Sequence, residues 1–137
     1  MRLRRNQKRR RGAALVELAY LLPFLLYLFV IGADWARLLY YTISCEACAR
    51  AGALYAADIE ASAVSPYANL QAAAQAEAPL LTTPPTITSN PTTINGRPGV
   101  QVTATLNFTT ITNFPGVPSS QTLTRTVEMR VFPVTTN

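Results

Sequence analysis

Histidine is absent from the 137-residue sequence, and cysteine occurs only twice. Histidine titrates near neutral pH and is the most frequent metal ligand, so its absence removes the commonest general base and the commonest metal site. Two cysteines are too few for the disulfide framework of a small secreted domain. The sequence also has no glycine-rich phosphate loop and no two acidic residues at a spacing that would bring their carboxylates together in a catalytic site. We therefore predict a protein that is not an enzyme, with no catalytic residues, no cofactor and no metal.

Acidic residues are missing from the first 12 positions, which hold seven of the 12 basic residues in the chain. From residue 13 onward, five basic residues stand against seven acidic ones, a net charge of −2, although the whole chain carries +5. The positive charge therefore belongs to a short tail followed directly by an apolar block. Such a tail is typical of a membrane topology signal, and it predicts a basic cytoplasmic leader over residues 1–12 and no nucleic-acid partner.

The apolar block covers residues 13–33, which contain a single charged side chain, Glu17. A helix rises about 1.5 Å per residue, so about 20 residues cross a hydrocarbon core of roughly 30 Å. The block predicts one transmembrane helix in the inner membrane, surrounded by lipid. Because the basic residues precede it, the N-terminus is expected in the cytoplasm and the C-terminal region on the periplasmic or extracellular side.

Pro23 lies inside the predicted transmembrane helix, where a proline removes one backbone hydrogen bond. Neighbouring groups can satisfy the freed carbonyl in a membrane, so we expect a helix kink at Pro23 and not the end of the helix. Asp34, Trp35 and Arg37 follow the apolar block directly. Tryptophan and charged side chains are typical of the headgroup level, so these three residues are predicted to lie at the membrane interface.

The whole pattern predicts an α+β fold. It comprises a long N-terminal transmembrane helix extending outward, a short second helix, and a small antiparallel β-hairpin or three-stranded sheet packed on the helix. Residues 34–78 are rich in alanine, the best helix former, and are predicted as an extracytoplasmic helical region. Prolines and threonines at residues 79–99 indicate a linker, with residues 86–89 as a candidate third strand. Apolar and polar residues alternate along much of residues 100–137, the predicted antiparallel β region.

An apolar stripe on the helical region needs a partner to cover it. Its members recur about every 3.6 residues: Leu38, Leu39, Thr42, Ile43, Ala47, Leu54 and Ile59. We expect the strands to pack on the helical region, because an isolated hairpin is marginal in water.

The junction between leader and apolar block has an unusual composition. Gly12 ends the basic tail, Ala13 begins the block, and Glu17 lies within it. Glycine lets a protease approach the backbone closely, so the bond between Gly12 and Ala13 is a candidate cleavage site. A carboxylate inside a membrane segment is costly and usually faces a partner, which predicts an assembly role for Glu17. An ordinary signal-anchor is the plainer interpretation, but it leaves Glu17 unexplained.

Residues 9–57 resemble the N-terminal region of the TadE-like proteins, pilin-like subunits of the tight adherence branch of type IV pilus systems. The resemblance rests on the glycine and glutamate of the junction, Leu22-Pro23, the Gly-x-Asp-Trp-x-Arg-Leu segment from Gly32 to Leu38, and Ala49 to Gly52. It implies processing by a prepilin peptidase and assembly through the N-terminal helix. It also implies other pilin or TadE/TadF-like subunits and the tight adherence secretion machinery of the inner membrane as partners. Ala13 departs from the commonest pilins, which carry phenylalanine or methionine there.

Cys45 and Cys48 support an alternative function, a single-pass membrane-anchored periplasmic binding or redox module. A zinc site needs four ligands, however, and a thioredoxin-like motif needs a surrounding βαβ pattern, and the sequence has neither. The plainer interpretation is two small residues on one helix face, open to disulfide formation outside the cytoplasm.

Overall fold

The computed structural model describes residues 4–112 and 119–132, with side chains from residue 12 onward. It contains three helices and three strands within these ranges: α1 (Arg4–Ala57), α2 (Ile59–Ala63), α3 (Leu70–Gln75), β1 (Thr86–Ile94), β2 (Arg97–Thr109) and β3 (Ser120–Arg130). A long apolar N-terminal helix with short helices and a small antiparallel sheet confirms the predicted α+β fold. Residues 113–118 and 133–137, which belong to the predicted antiparallel β region, lie outside the described residues.

Helix α1 dominates the molecule, with 54 residues and a length of about 81 Å. Near its N-terminus it contains a stretch long and apolar enough to cross a membrane. The helix ends at Ala57, because Asp58 has extended backbone angles and its carboxylate accepts a hydrogen bond from the Ala61 backbone N–H at 2.8 Å. Asp58 is therefore the N-cap of the next helix, α2.

The three strands form an antiparallel sheet in the order β1-β2-β3. A two-residue turn joins β1 to β2, and both of its residues, Asn95 and Gly96, have positive φ, as a type I′ hairpin turn requires. The candidate third strand at residues 86–89 is therefore confirmed as part of β1, and the linker prediction is wrong over the rest of Thr86–Ile94. An edge strand tolerates Pro91, because its outer side needs no donor for the ladder, and threonine favours strands.

The sheet packs on the second half of α1, and β2 runs back along the helix in the opposite direction. The alternation predicted for β2 is confirmed, since its inward side chains are buried: Val100, Val102, Ala104, Leu106 and Phe108. Contacts between strand and helix step towards the membrane segment: Val102 with Gly52, Ala104 with Cys45, Phe108 with Tyr41 and Thr112 with Asp34. The β1–β2 turn therefore lies far from the membrane segment, and the end of β2 lies next to it.

The helix face that meets the sheet differs from the predicted apolar stripe. The covered positions recur at three- and four-residue intervals and are mostly small or polar: Asp34, Leu38, Tyr41, Cys45, Cys48 and Gly52. A Cβ at Gly52 would lie 3.1 Å from Val102 Cγ1, so the missing side chain permits the close approach. Most of the predicted stripe stays uncovered: Leu39, Ile43, Leu54 and Ile59 are exposed.

Candidate assembly interface

The first part of α1 has apolar side chains on every side, and they are largely exposed. Every residue from Gly12 to Phe29 is exposed in the isolated chain, including eleven leucine, phenylalanine and tyrosine side chains. A helix that is apolar all round needs a membrane or other helices around it. This segment is therefore a candidate surface for contact with lipid or with neighbouring subunits.

The predicted cleavage residues lie inside this exposed segment. Gly12 has open space around its Cα, and α1 runs without a break from the leader across Gly12 and Ala13. Glu17 follows Ala13 by four residues, about one helical turn or 6 Å along the axis. Its side chain has no hydrogen bond or ion pair among the described side chains. Cleavage after Gly12 and the assembly role of Glu17 stay predictions.

Helix α1 continues through Pro23 without a break. The ring nitrogen of Pro23 cannot donate to the carbonyl one turn earlier, so one acceptor of the helix is left without its usual donor. The kink expected there stays a prediction.

Asp34 joins the helix to the end of β2. Its side chain is only 3 % exposed. The carboxylate accepts hydrogen bonds from the backbone N–H groups of Ile111 at 3.3 Å and Thr112 at 3.1 Å, and from the Thr112 hydroxyl. Arg37 Nη1 completes the site at 3.2 Å from Oδ1. The hydrogen bond from the Thr112 side chain, the strongest influence, lowers the pKa of the Asp34 carboxyl, and burial opposes it.

Trp35 and Arg37 complete the group predicted at the membrane interface. Trp35 points outward and is exposed, while Arg37 is half-buried with its guanidinium 5.4 Å from the Phe108 ring centre and 5.9 Å from that of Tyr41. The side chain of Arg37 therefore both pairs with Asp34 and covers two aromatic rings of the core. The sequence predicts headgroup contacts for these residues but not the contact of Arg37 with Phe108 of β2, because Phe108 lies 71 positions further along the chain.

Cys45 and Cys48 are fully buried free thiols between α1 and the sheet. The Cys45 S–H donates to the Ala104 carbonyl at 3.4 Å, so that thiol is directed at the sheet, and the disulfide considered from the sequence is not formed. Burial raises the pKa of both thiols, that of Cys48 to about 11. A redox thiol is typically accessible and has a lowered pKa. The environment of both cysteines argues against the redox module and favours a packing role.

The face of α1 opposite the sheet carries a stripe of mostly apolar and mostly exposed side chains, which we call the outer stripe. Its members have three- and four-residue spacing: Leu39, Ile43, Ala47, Arg50 and Leu54. Arg50 pairs with Glu46 at 2.8 Å, and the stripe lines one side of a shallow groove of about 350 Å³ that is bounded by Glu77. A second helix fits such a face, because side chains three and four residues apart form a continuous ridge.

No metal centre is apparent across residues 4–112 and 119–132, where no group of three or more His, Cys, Asp or Glu side chains is clustered. Residues 12–54 match the family model of the TadE-like proteins. The chain carries a TadE-like segment. No curated protein and no solved structure matched the chain in the other two comparisons.

The TadE-like segment lies entirely within α1 and covers both halves of that helix. It begins at Gly12, the predicted cleavage residue, and ends at Leu54, the last member of the outer stripe. It therefore includes Glu17, the Asp34 junction and the two buried cysteines. Helices α2 and α3 and the three strands lie beyond the match, so the family resemblance describes the long helix and not the head built on it.

Proposed function

We propose that the chain is a pilin-like subunit or assembly component of a tight adherence type IV pilus. In this proposal the leader of residues 1–12 is removed by a prepilin peptidase, and the mature subunit assembles through α1. The TadE-like match supports the pilus relationship. The observation that carries the assembly role is the exposed apolar segment from Gly12 to Phe29 with Glu17 as its single charge.

The proposed orientation follows from the distribution of charge around the apolar segment. Seven basic residues precede it, and Arg37 is the nearest one after it. Positive flanks stay on the cytoplasmic side, so the leader faces the peptidase and the secretion machinery in the inner membrane. The head then lies on the periplasmic or extracellular side, where other pilin or TadE/TadF-like subunits would meet it.

Glu17 would act as the register contact between neighbouring helices. A carboxylate at mid-membrane costs about 2.5–3.5 kcal/mol on insertion scales, and less nearer the edge, where Glu17 lies. Removal of the leader creates an ammonium group on Ala13. Pairing that ammonium with Glu17 of an adjacent subunit would relieve the cost only when the two helices are staggered by about one turn, roughly 6 Å. A single buried polar contact of this kind can specify register in a helix bundle.

The outer stripe would extend this assembly surface beyond the membrane. Leu39, Ile43 and Leu54 are apolar and exposed on the side of α1 that the sheet leaves open. The helix is continuous from the membrane segment to the stripe, so a neighbour packed along the first half is positioned to meet the second half. This arrangement leaves the sheet on the outside of the assembly, away from the helix contacts.

Substitution of Glu17 tests the proposed role in assembly. We expect Glu17→Ala to leave membrane insertion and leader removal largely intact and to reduce incorporation into pili. Glu17→Asp, whose side chain is one methylene shorter, should fall between. Glu60→Ala serves as the matched control, because Glu60 is an exposed acid on α2, far from the membrane segment.

The measurement compares the amount of processed protein in the membrane fraction with the amount in the sheared-pilus fraction for each variant. Normal pilus incorporation of Glu17→Ala would mean that Glu17 is not the assembly contact. Equal losses for Glu17→Ala and Glu60→Ala would point to a general sensitivity to acidic residues instead.

A further inference from the structure

The hydrogen bonds of Asp34 hold the end of β2 at one level of α1. Asp34 is the first residue after the apolar run of residues 13–33, so it marks the outer edge of the hydrocarbon core in the proposed membrane orientation. Its carboxylate binds the backbone N–H groups of two consecutive residues, Ile111 and Thr112. Contacts to backbone groups restrain the chain itself, so Ile111 is kept at the level where the membrane segment ends.

Ile111 is a large apolar side chain with little cover at this level. It is 77 % exposed, although Phe108, three residues earlier, is buried under the sheet. Trp35, next to Asp34 on the helix, is also exposed, and the half-buried guanidinium of Arg37 lies beside the same carboxylate. An aromatic ring, an aliphatic side chain and a cation at one level are the combination that suits the boundary between phospholipid headgroups and acyl chains.

We propose that Ile111 inserts into the headgroup–acyl boundary of the bilayer that α1 crosses, so that the head rests on the membrane through the end of β2. The ligand is phospholipid, because Ile111 is held at the level of the bilayer edge, whereas the apolar side chains suited to a neighbouring helix lie on the outer stripe. The negative charge of Asp34 does not repel the headgroups, since its oxygens are buried and bonded to N–H groups, a hydroxyl and Arg37.

This contact would fix how the head is oriented above the membrane. The sheet packs on one side of α1 only, and the helix alone leaves rotation about its axis and tilt unconstrained. A second contact through Ile111 removes that freedom and presents the outer stripe at a fixed angle to a neighbouring subunit in the membrane. The inference rests on the membrane insertion in the proposed function but not on pilus assembly.

Lipid quenching of tryptophan fluorescence tests the contact, because the chain contains a single tryptophan, Trp35. The full-length protein is placed in phosphatidylcholine vesicles whose acyl chains carry bromine near the headgroup. In a Trp35→Phe background, Ile111→Trp places the only tryptophan at the proposed contact. Val64→Trp in the same background is the matched control, because Val64 is 85 % exposed and follows α2. Helix α2 comes directly after the end of α1, which lies about 35 Å from Asp34 along the helix.

We expect position 111 to lose as much fluorescence to the brominated lipid as the native Trp35, and position 64 to lose none. An unquenched position 111 beside a quenched Trp35 would overturn the inference while leaving the membrane anchor intact. A blue-shifted emission at position 111 without quenching would also overturn it, because protein and not lipid would then cover the site. Failure of the protein to float with the vesicles would instead remove the anchor on which both proposals rest.

The role of Asp34 as a positioning residue has its own test in the Ile111→Trp protein. Asp34→Ala removes the acceptor for both backbone N–H groups, and Thr112→Val removes only the hydroxyl donor. We expect quenching at position 111 to fall strongly with Asp34→Ala and less with Thr112→Val, while flotation with the vesicles stays unchanged. Unchanged quenching in Asp34→Ala would overturn the role given to Asp34.

Discussion

Truncation of Phe108 tests whether the head is built by packing β2 on α1. Phe108 is 2 % exposed, and its ring lies edge-on to Tyr41 with 5.2 Å between the ring centres. Removing a buried phenylalanine costs about 3–5 kcal/mol, from lost burial and the cavity left behind. Small domains have a free energy of unfolding of about 5–15 kcal/mol, so Phe108→Ala removes a large part of the stability of the head.

Thiol labelling measures this loss without adding a probe. Cys45 and Cys48 are the only cysteines, both are fully buried, and burial raises the pKa of both thiols. At neutral pH they react with a thiol reagent only when the head opens. When opening and closing are faster than labelling, the rate follows the population of the open state. A tenfold change in the population of the open state corresponds to about 1.4 kcal/mol in the free energy of unfolding. Phe108→Ala should therefore accelerate labelling by about two to nearly four orders of magnitude.

Phe132→Ala is the matched control, because the same side chain is lost at a position that is 55 % exposed. The Phe132 backbone N–H donates to the Ala57 carbonyl at 2.9 Å, and that bond survives the substitution. Surface substitutions usually change the free energy of unfolding by at most about 0.5 kcal/mol, so labelling should change about twofold. Equal labelling rates in the two variants would refute the packing of β2 on α1.

Three further predictions follow from the closeness of the packing, the buried thiols and the proposed topology. Gly52→Leu should lower the urea midpoint of the head, because the buried Val102 already limits the space and overpacking typically costs about 1–3 kcal/mol. Gly32→Leu is the control and should leave the urea midpoint unchanged, because Gly32 has open space around it. Equal urea midpoints for the two variants would contradict the close packing at Gly52. The stability of the head should fall as pH rises from 9.0 to about 11, because unfolded Cys48 ionises at its ordinary pKa and folded Cys48 does not. In Cys48→Ala the urea midpoint should fall less between these pH values, because the Cys48 thiol is gone. An identical pH dependence of the urea midpoint in both proteins would disprove the role given to Cys48. A reporter fused after Asn137 should be active only in a periplasmic assay, and cytoplasmic activity would refute the proposed orientation.

The long helix and the central strand were predictable because their signals are local. The length of the apolar run and the alanine content predict α1, and the alternation from Val100 to Phe108 predicts β2. For strand β1 the sequence predicts a linker with only residues 86–89 as a candidate strand, because four prolines between residues 82 and 99 indicate turns and loops. Pairing with β2 overrides that local preference, and an edge position accommodates the proline.

The helix face under the sheet is harder to predict from the sequence, because the largest apolar side chains of this part of α1 are not the ones buried there. A sheet packed closely on a helix needs small side chains at the contact, and Cys45, Cys48 and Gly52 supply them. Large residues such as Ile43 and Leu54 remain outside. The Asp34–Thr112 contact joins residues 78 positions apart, and periodicity within either element gives no sign of it. A charged residue in an otherwise apolar or small helix face was the one available signal.

The mature N-terminal residue tests the central claim most directly. Mass spectrometry of the membrane and sheared-pilus fractions would identify it in cells with an active prepilin peptidase, with a bulky Gly12→Leu variant as the unprocessed control. We expect chains that begin at Ala13 in both fractions, and chains that retain the leader only in the membranes of the Gly12→Leu strain. A protein that still begins at Met1 and is absent from sheared pili would contradict the proposed function.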